Sequence, residues 1–181
     1  MKKLSRDDLY SLEHYAEVRP EFRAQVMAHK KNRRVPLGAD AALYFEDRLT
    51  MHYQVQEMLR AERIFDSEGI QEELDAYNPL IPDGSNLKAT FMIEVVDEEE
   101  RRRILSRLKG IEKETWLRVE GFEPVFAIAD EDLERENEDK TSTVHFMRFE
   151  LTGGMVAAAK KGAALGLGIS HSDYTQQLEP L

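Results

Sequence analysis

The chain has 181 residues, 41% hydrophobic and 33% charged, with a formal net charge of −10. This length and balance suit one globular domain able to bury about 70% of its unfolded surface, and they exclude a disordered chain. The absence of cysteine excludes disulfides, thiolate zinc sites, iron–sulfur ligation by this chain and a cysteine nucleophile, while the acidic balance weighs against general binding to nucleic acid or anionic membranes.

No apolar core follows Lys2-Lys3, so the N-terminus does not read as a secretory signal. No apolar run approaches the ~20 residues of a spanning helix, and a cytoplasmic protein is expected. Charge is uneven. Residues 1–34 carry nine Lys/Arg against five Asp/Glu, and residues 97–140 carry nine against fifteen. Solvated helix faces and loops account for both, although Lys30-Lys31-Asn32-Arg33-Arg34 can also meet an anionic partner.

Ser5 ahead of Asp7 and Asp8 predicts a helix start, with Leu9, Leu12 and Ala16 on its apolar stripe. Pro20 is expected in the first turn of a second helix reaching about Lys31, with Phe22, Val26 and Met27 inward. Arg33 to Gly38 reads as an edge strand, where proline costs no ladder bond, and Ala42 to Glu46 as its hairpin partner. A helix is predicted from Arg48 to Phe65, with Met51, Val55, Met58 and Phe65 on one stripe. Ser67 is expected to cap the next helix, which Asn78-Pro79 ends. Pro82-Asp83-Gly84-Ser85-Asn86 marks a turn.

Lys88 to Val96 is the clearest strand. Asp97 to Glu100, followed by Arg101-Arg102-Arg103, opens a surface helix ending at Gly110. Thr115 to Glu120 and Glu123 to Ala129 read as a hairpin around Gly121. Residues 130–140 are expected to form a short helix and loop, and residues 143–151 a strand with His145 on the face opposite Val144 and Phe146. A helix over 155–161, a strand over 165–169 and a frayed polar tail from Ser172 complete the reading.

Hairpin connections outnumber crossovers. The expected fold is α+β, with an antiparallel or mixed sheet of about 5–7 strands and an N-terminal helical portion packed against it. One domain is expected over 1–175, helix-rich over 1–78 and strand-rich over 88–171, with 176–181 frayed.

Phosphate-loop, nucleophile-elbow and HExxH zinc motifs are missing, and Gly166-Leu167-Gly168 lacks the rest of a dinucleotide fingerprint. His14 and Glu17 stand in the reverse order to a di-iron Glu-x-x-His pair. No metal site is assigned, and no cofactor is identified. Two stretches carry the best candidates. Arg48, His52, Gln56 and Arg60 recur every four residues, with Glu57 beside them. The rigid loop from Asn78 adds Asp83 and, beyond it, Lys88. Guanidinium and ammonium groups there can hold an anion, with His52 or Glu57 as acid or base. The same helix face can instead be an intrahelical charge lattice or a subunit interface.

FEDRLTMHYQVQEMLRAERI (45–64) and AYNPLIPDGSNLKATFMIE (76–94) resemble a bacterial family known as domain of unknown function 3501. HKKNRRVPLG (29–38), IADEDLERENEDKTSTVHFMRFEL (128–151) and LGISHSDY (167–174) extend the resemblance over nearly the whole chain. Family members are often encoded beside rubrerythrin-like proteins and iron–sulfur oxidoreductases. The resemblance therefore implies an accessory role in redox or oxidative-stress metabolism, with such a protein as partner, and brings no catalytic residue. Two readings follow: a homo-oligomeric, non-catalytic accessory protein, or an enzyme or small-anion binder with its pocket between helix 48–63 and loop 78–88.

Overall fold

The computed structural model describes residues 2–132, 135–137 and 139–181. Its contacts group the chain into two compact units, Met1–Arg34 with Glu46–Gly84, and Val35–Phe45 with Ser85–Leu181. The expected helix-rich stretch 1–78 is thus interrupted, because residues 35–45 belong with the strand-rich part.

Unit 1 is helical. Ser5 donates through its amide and hydroxyl to Asp8, each at 2.8 Å, but they close only a 3-10 turn at Arg6–Asp8. One helix, α1 (Leu12–Lys31), then replaces the two predicted ones, and Pro20 lies inside it. Pro20 and Ala16 are both exposed, so water can serve the Ala16 carbonyl that lacks a helical donor. Tyr15, Phe22 and Val26 form the buried face of α1.

The next helix, α2 (Arg48–Glu62), begins at Asp47, whose carboxylate accepts from the amides of Leu49 and Thr50. It stops short of Phe65 because Arg63 turns left-handed (φ 56°), and Phe65 is left 77% exposed rather than on the apolar stripe. Asp66, not Ser67, caps α3 (Ser67–Tyr77). Asn78 then fastens the N-terminal segment, accepting from the Leu4 amide at 2.8 Å and donating to the Leu4 carbonyl at 2.9 Å.

Unit 2 holds the sheets. Strands β1 (Arg34–Pro36), β2 (Ala41–Phe45), β3 (Asn86–Ile93), β6 (Ile128–Ala129) and β7 (Val144–Glu150) form one, in the order β1-β2-β3-β7-β6. The other runs β5-β4-β8-β9, from β4 (Thr115–Val119), β5 (Val125–Phe126), β8 (Leu165–His171) and β9 (Tyr174–Leu178). Every strand pairing whose register is resolved is antiparallel. The fold is α+β as expected, but with nine strands in two sheets among the described residues.

The predicted strand 123–129 divides between the sheets: Trp116 pairs with Phe126, whereas Ala129 pairs with Met147. The surface helix is α4 (Glu98–Arg107), capped by Asp97, and the predicted helix near 155 is α5 (Gly153–Lys160). The tail is not frayed at 174–178. Tyr174 donates from its hydroxyl to the Leu37 carbonyl at 2.7 Å and accepts from the Asp40 amide at 3.1 Å, tying β9 to the β1–β2 turn. One apolar core fills this unit, with Phe91, Phe149, Leu117 and Ile169 fully buried. The helix expected over 130–140 falls partly on residues 133, 134 and 138, outside the described residues. The described remainder is not helical.

Candidate functional site

In unit 1, α2 does align the predicted polar residues, but α1 and the N-terminal segment cover several of them. Arg48 pairs with Asp8 at 2.7 Å and donates to the Lys2 carbonyl. Gln56 is fully buried and accepts from the Tyr10 amide at 2.7 Å. Glu57 accepts from Arg19 Nε and Nη2, at 2.7 and 2.8 Å, and from the Tyr15 hydroxyl at 2.7 Å. Arg19's grip holds the Glu57 carboxyl at about 2, well below its ordinary value of 4.5.

His52 lies against Tyr10 and Phe22, and its buried Nε2 has no hydrogen-bond partner among the described residues. Burial, aided by the nearby Arg48 charge, lowers its pKa below 6.5 and favours the neutral ring. Arg60 is exposed, twelve residues and therefore about 18 Å along the axis from Arg48, too far for both to grip one small anion. Asp83 is exposed in the loop, and Lys88 lies on β3 in unit 2, opposite Arg148. The helix thus brings Arg48, His52 and Gln56 into one row, and it does not bring Arg60 to Arg48.

A second cluster near Asp47 was not singled out from the sequence. His29 Nε2 and Arg33 Nη2 each stand 2.7 Å from one Asp47 oxygen. Burial alone would raise this carboxyl; the Thr50 amide, His29 and Arg33 outweigh it and hold it below its ordinary value.

Unit 2 carries a denser group. Asp130 adopts a left-handed backbone (φ 54°), an uncommon conformation for a side-chain-bearing residue. It is held there by its amide, which donates to the Phe146 carbonyl, and by a carboxylate oxygen that accepts from the Phe146 amide. The other oxygen lies 2.5 Å from His145 Nδ1, and Thr141 Oγ1 lies 2.9 Å from Nε2. A carboxylate only accepts, so Nδ1 carries the proton toward it, and in the neutral ring Nε2 accepts from Thr141. This is the connectivity of an acid–base relay, but His145 is 0% and Thr141 1% exposed. It therefore anchors β7 to the loop after β6.

Arg135 donates to Asp130 at 3.1 Å, pairs with Asp132 and stacks over Phe146 at 4.7 Å. Beside it lies a cavity of about 340 Å³, lined also by Glu112 and Glu136. Glu136 accepts from the Gly110 amide at 2.6 Å. Glu112 is only 3% exposed, and its Oε2 has no hydrogen-bond partner among the described residues. Sequence reasoning put His145 on the face away from Val144 and Phe146. It does lie there, but that is the core face, shared with Met147 and Phe149. The signal available was the acidic run from Asp130, read as solvated.

The sequence signature described as protein of unknown function (DUF3501) matches residues 3–181. The chain belongs to the DUF3501 family. This DUF3501 protein is also similar to the crystal structure of a novel protein of unknown function from Burkholderia pseudomallei K96243. The two share 53% identity with a TM-score of 0.92, over 99% of this chain and 94% of that one. No curated protein matches the DUF3501 chain. Among the described residues, no helix is long and apolar enough to cross a membrane, and no three His, Asp or Glu side chains group to hold a metal ion.

Proposed function

We propose that this DUF3501 protein is a cytoplasmic, homo-oligomeric accessory protein that works by binding, in redox or oxidative-stress metabolism. The observation that supports a binding role is the engagement of the nominated reactive groups. Arg48 is held by Asp8, Gln56 by Tyr10, and Glu57 by Arg19 and Tyr15. A carboxylate locked to a guanidinium is a weak base, and freeing it costs those bonds. The redox connection rests on the family resemblance, which names a rubrerythrin-like or iron–sulfur oxidoreductase partner. The test is sedimentation of the purified chain alone, with a rubrerythrin-like protein and with an iron–sulfur oxidoreductase. A self-associated species and a complex with at least one are expected. A monomer that sediments independently of all of them at micromolar concentrations sinks the reading.

One observation favours the alternative, an enzyme or small-anion binder on α2: the buried Nε2 of His52 has no hydrogen-bond partner among the described residues, which leaves a ring nitrogen open to a hydrogen bond with a ligand. That reading requires Arg48 to leave Asp8 when the anion arrives. Phosphate or a dicarboxylate should then bind less tightly to Arg48→Ala, and equal affinity for both chains rejects it.

A further inference from the structure

The strongest unassigned feature is the cavity beside Asp130. Five of its lining side chains are carboxylates: Glu112, Asp130, Glu131, Asp132 and Glu136. Lys113 and Arg135 line it as well, and Arg148 grips Glu131 through two nitrogens at 2.6 and 2.9 Å. Five acids line the cavity against two bases, which leaves an acidic excess. The wall already holds one guanidinium, that of Arg135, between Asp130 and Asp132 and over the Phe146 ring.

Glu112 supplies the second, independent sign of a ligand. Lys113 Nζ stands 3.7 Å from its Oε1, while the buried Oε2 is left without a donor among the described residues. A buried carboxylate oxygen without a donor is costly, and such atoms in native proteins call for a missing partner. Donors for a bare metal ion do not converge among the described residues. An N–H-bearing cation instead supplies both charge and directed hydrogen bonds. The volume, about 340 Å³, fits a small ligand or the end of one long side chain.

We infer that this cavity binds a guanidinium or primary ammonium group, with the Glu112 carboxylate as its acceptor. The inference rests on the reading of the protein as a binding protein and specifies the chemistry it recognises. The group belongs either to a free small amine or to a basic side chain of a partner.

Calorimetric titration of the full-length chain in 0.15 M salt decides the matter, with agmatine in one arm and a blocked Gly-Arg-Gly peptide in the other. At least one probe should bind with a stoichiometry of one. Glu112→Gln should weaken it at least about tenfold, and Glu68→Gln on exposed α3 should change nothing. The melting temperature of Glu112→Gln should not fall, because the variant removes a buried charge, so lost binding is not lost fold. On the wild-type chain, probe-induced amide shifts should centre on residues 110–114 and 129–132. Binding of the peptide alone assigns a partner's side chain, and binding of agmatine assigns a free amine.

Neither probe binding at millimolar concentration, affinity indifferent to Glu112, shifts confined elsewhere, or tighter binding of magnesium or calcium overturns the inference. A redox partner bound by a chain whose probe affinity ignores Glu112 removes this inference alone. Glu112-dependent probe binding without any macromolecular partner removes the accessory reading alone.

Discussion

Unit 1 divides its buried apolar residues between two clusters, one around Val55 and Leu74 and one around Tyr15, Phe22 and Val26. Unit 2 gathers its own into one core that runs from Leu37 to Ile169. Between the helices of unit 1 stand part-exposed ionic links such as Arg19–Glu57 and Arg48–Asp8, whereas the main charged anchor of unit 2, Asp130–His145, has a fully buried ring. Two ways of holding a fold together follow. Sheets share one continuous apolar interior, with polar links such as Asp130–His145 set beside it. Helices with narrow apolar stripes leave polar seams that must be satisfied side chain by side chain.

The largest test of that contrast is Phe149→Ala, which opens the single core and should cost about 3–5 kcal/mol in urea unfolding. A loss under 1 kcal/mol would break the comparison. Next comes Asp130→Asn, chosen because asparagine tolerates the left-handed backbone while it removes the charge and turns one of the two accepting oxygens into a donor. It should cost about 2 kcal/mol by the same measurement, and an unchanged midpoint would show the anchor to be idle.

Glu57→Gln is expected to cost less, about 1 kcal/mol at neutral pH, since its ion pair is partly exposed. Its pH signature is sharper. The folded carboxyl is depressed to about 2 from 4.5, so the unfolded chain holds more protons between those values. The stability it contributes is complete above pH 4.5 and disappears as pH falls toward 2. The variant should flatten that limb, and an identical acid transition in both proteins refutes the role. The smallest effect belongs to His52→Phe. The native ring has a lowered pKa, so its contribution holds above pH 6.5 and is lost as pH drops below it. Phenylalanine fits the same aromatic nest, and the slope just below pH 6.5 should vanish with a change of at most about 0.5 kcal/mol at pH 8.

Much of the fold was legible in local chemistry. Asp47 caps a helix that begins where hydrophobic periodicity places it, Asp97 caps one that its acid-then-base order places, and Lys88 to Ile93 reads as a strand because β-branched and aromatic side chains crowd it. What escaped depends on distant partners. Pro20 passes through α1 because tertiary exposure leaves the Ala16 carbonyl wet. Polar residues 174–178 become a strand because β8 and the Leu37 turn receive them. The Asp130–His145 anchor joins residues fifteen apart through a left-handed turn, and alternation gave no hint that the histidine face was the buried one. At the candidate site, the four-residue spacing of Arg48, His52, Gln56 and Arg60 predicts one helix face, and α2 carries all four. Its covering by Asp8 and Tyr10 lay beyond any local signal.

The interleaving of the two units bears on how the chain is made. β2 pairs with β3, yet Phe45 and Asn86 are separated by the whole second part of unit 1. At about 5–20 residues per second, a ribosome delivers the pairing edge roughly 2–8 seconds after the β1–β2 hairpin emerges. During that interval the helices can collapse while Leu43 waits uncovered, and a bound chaperone at the nascent chain would find its target there.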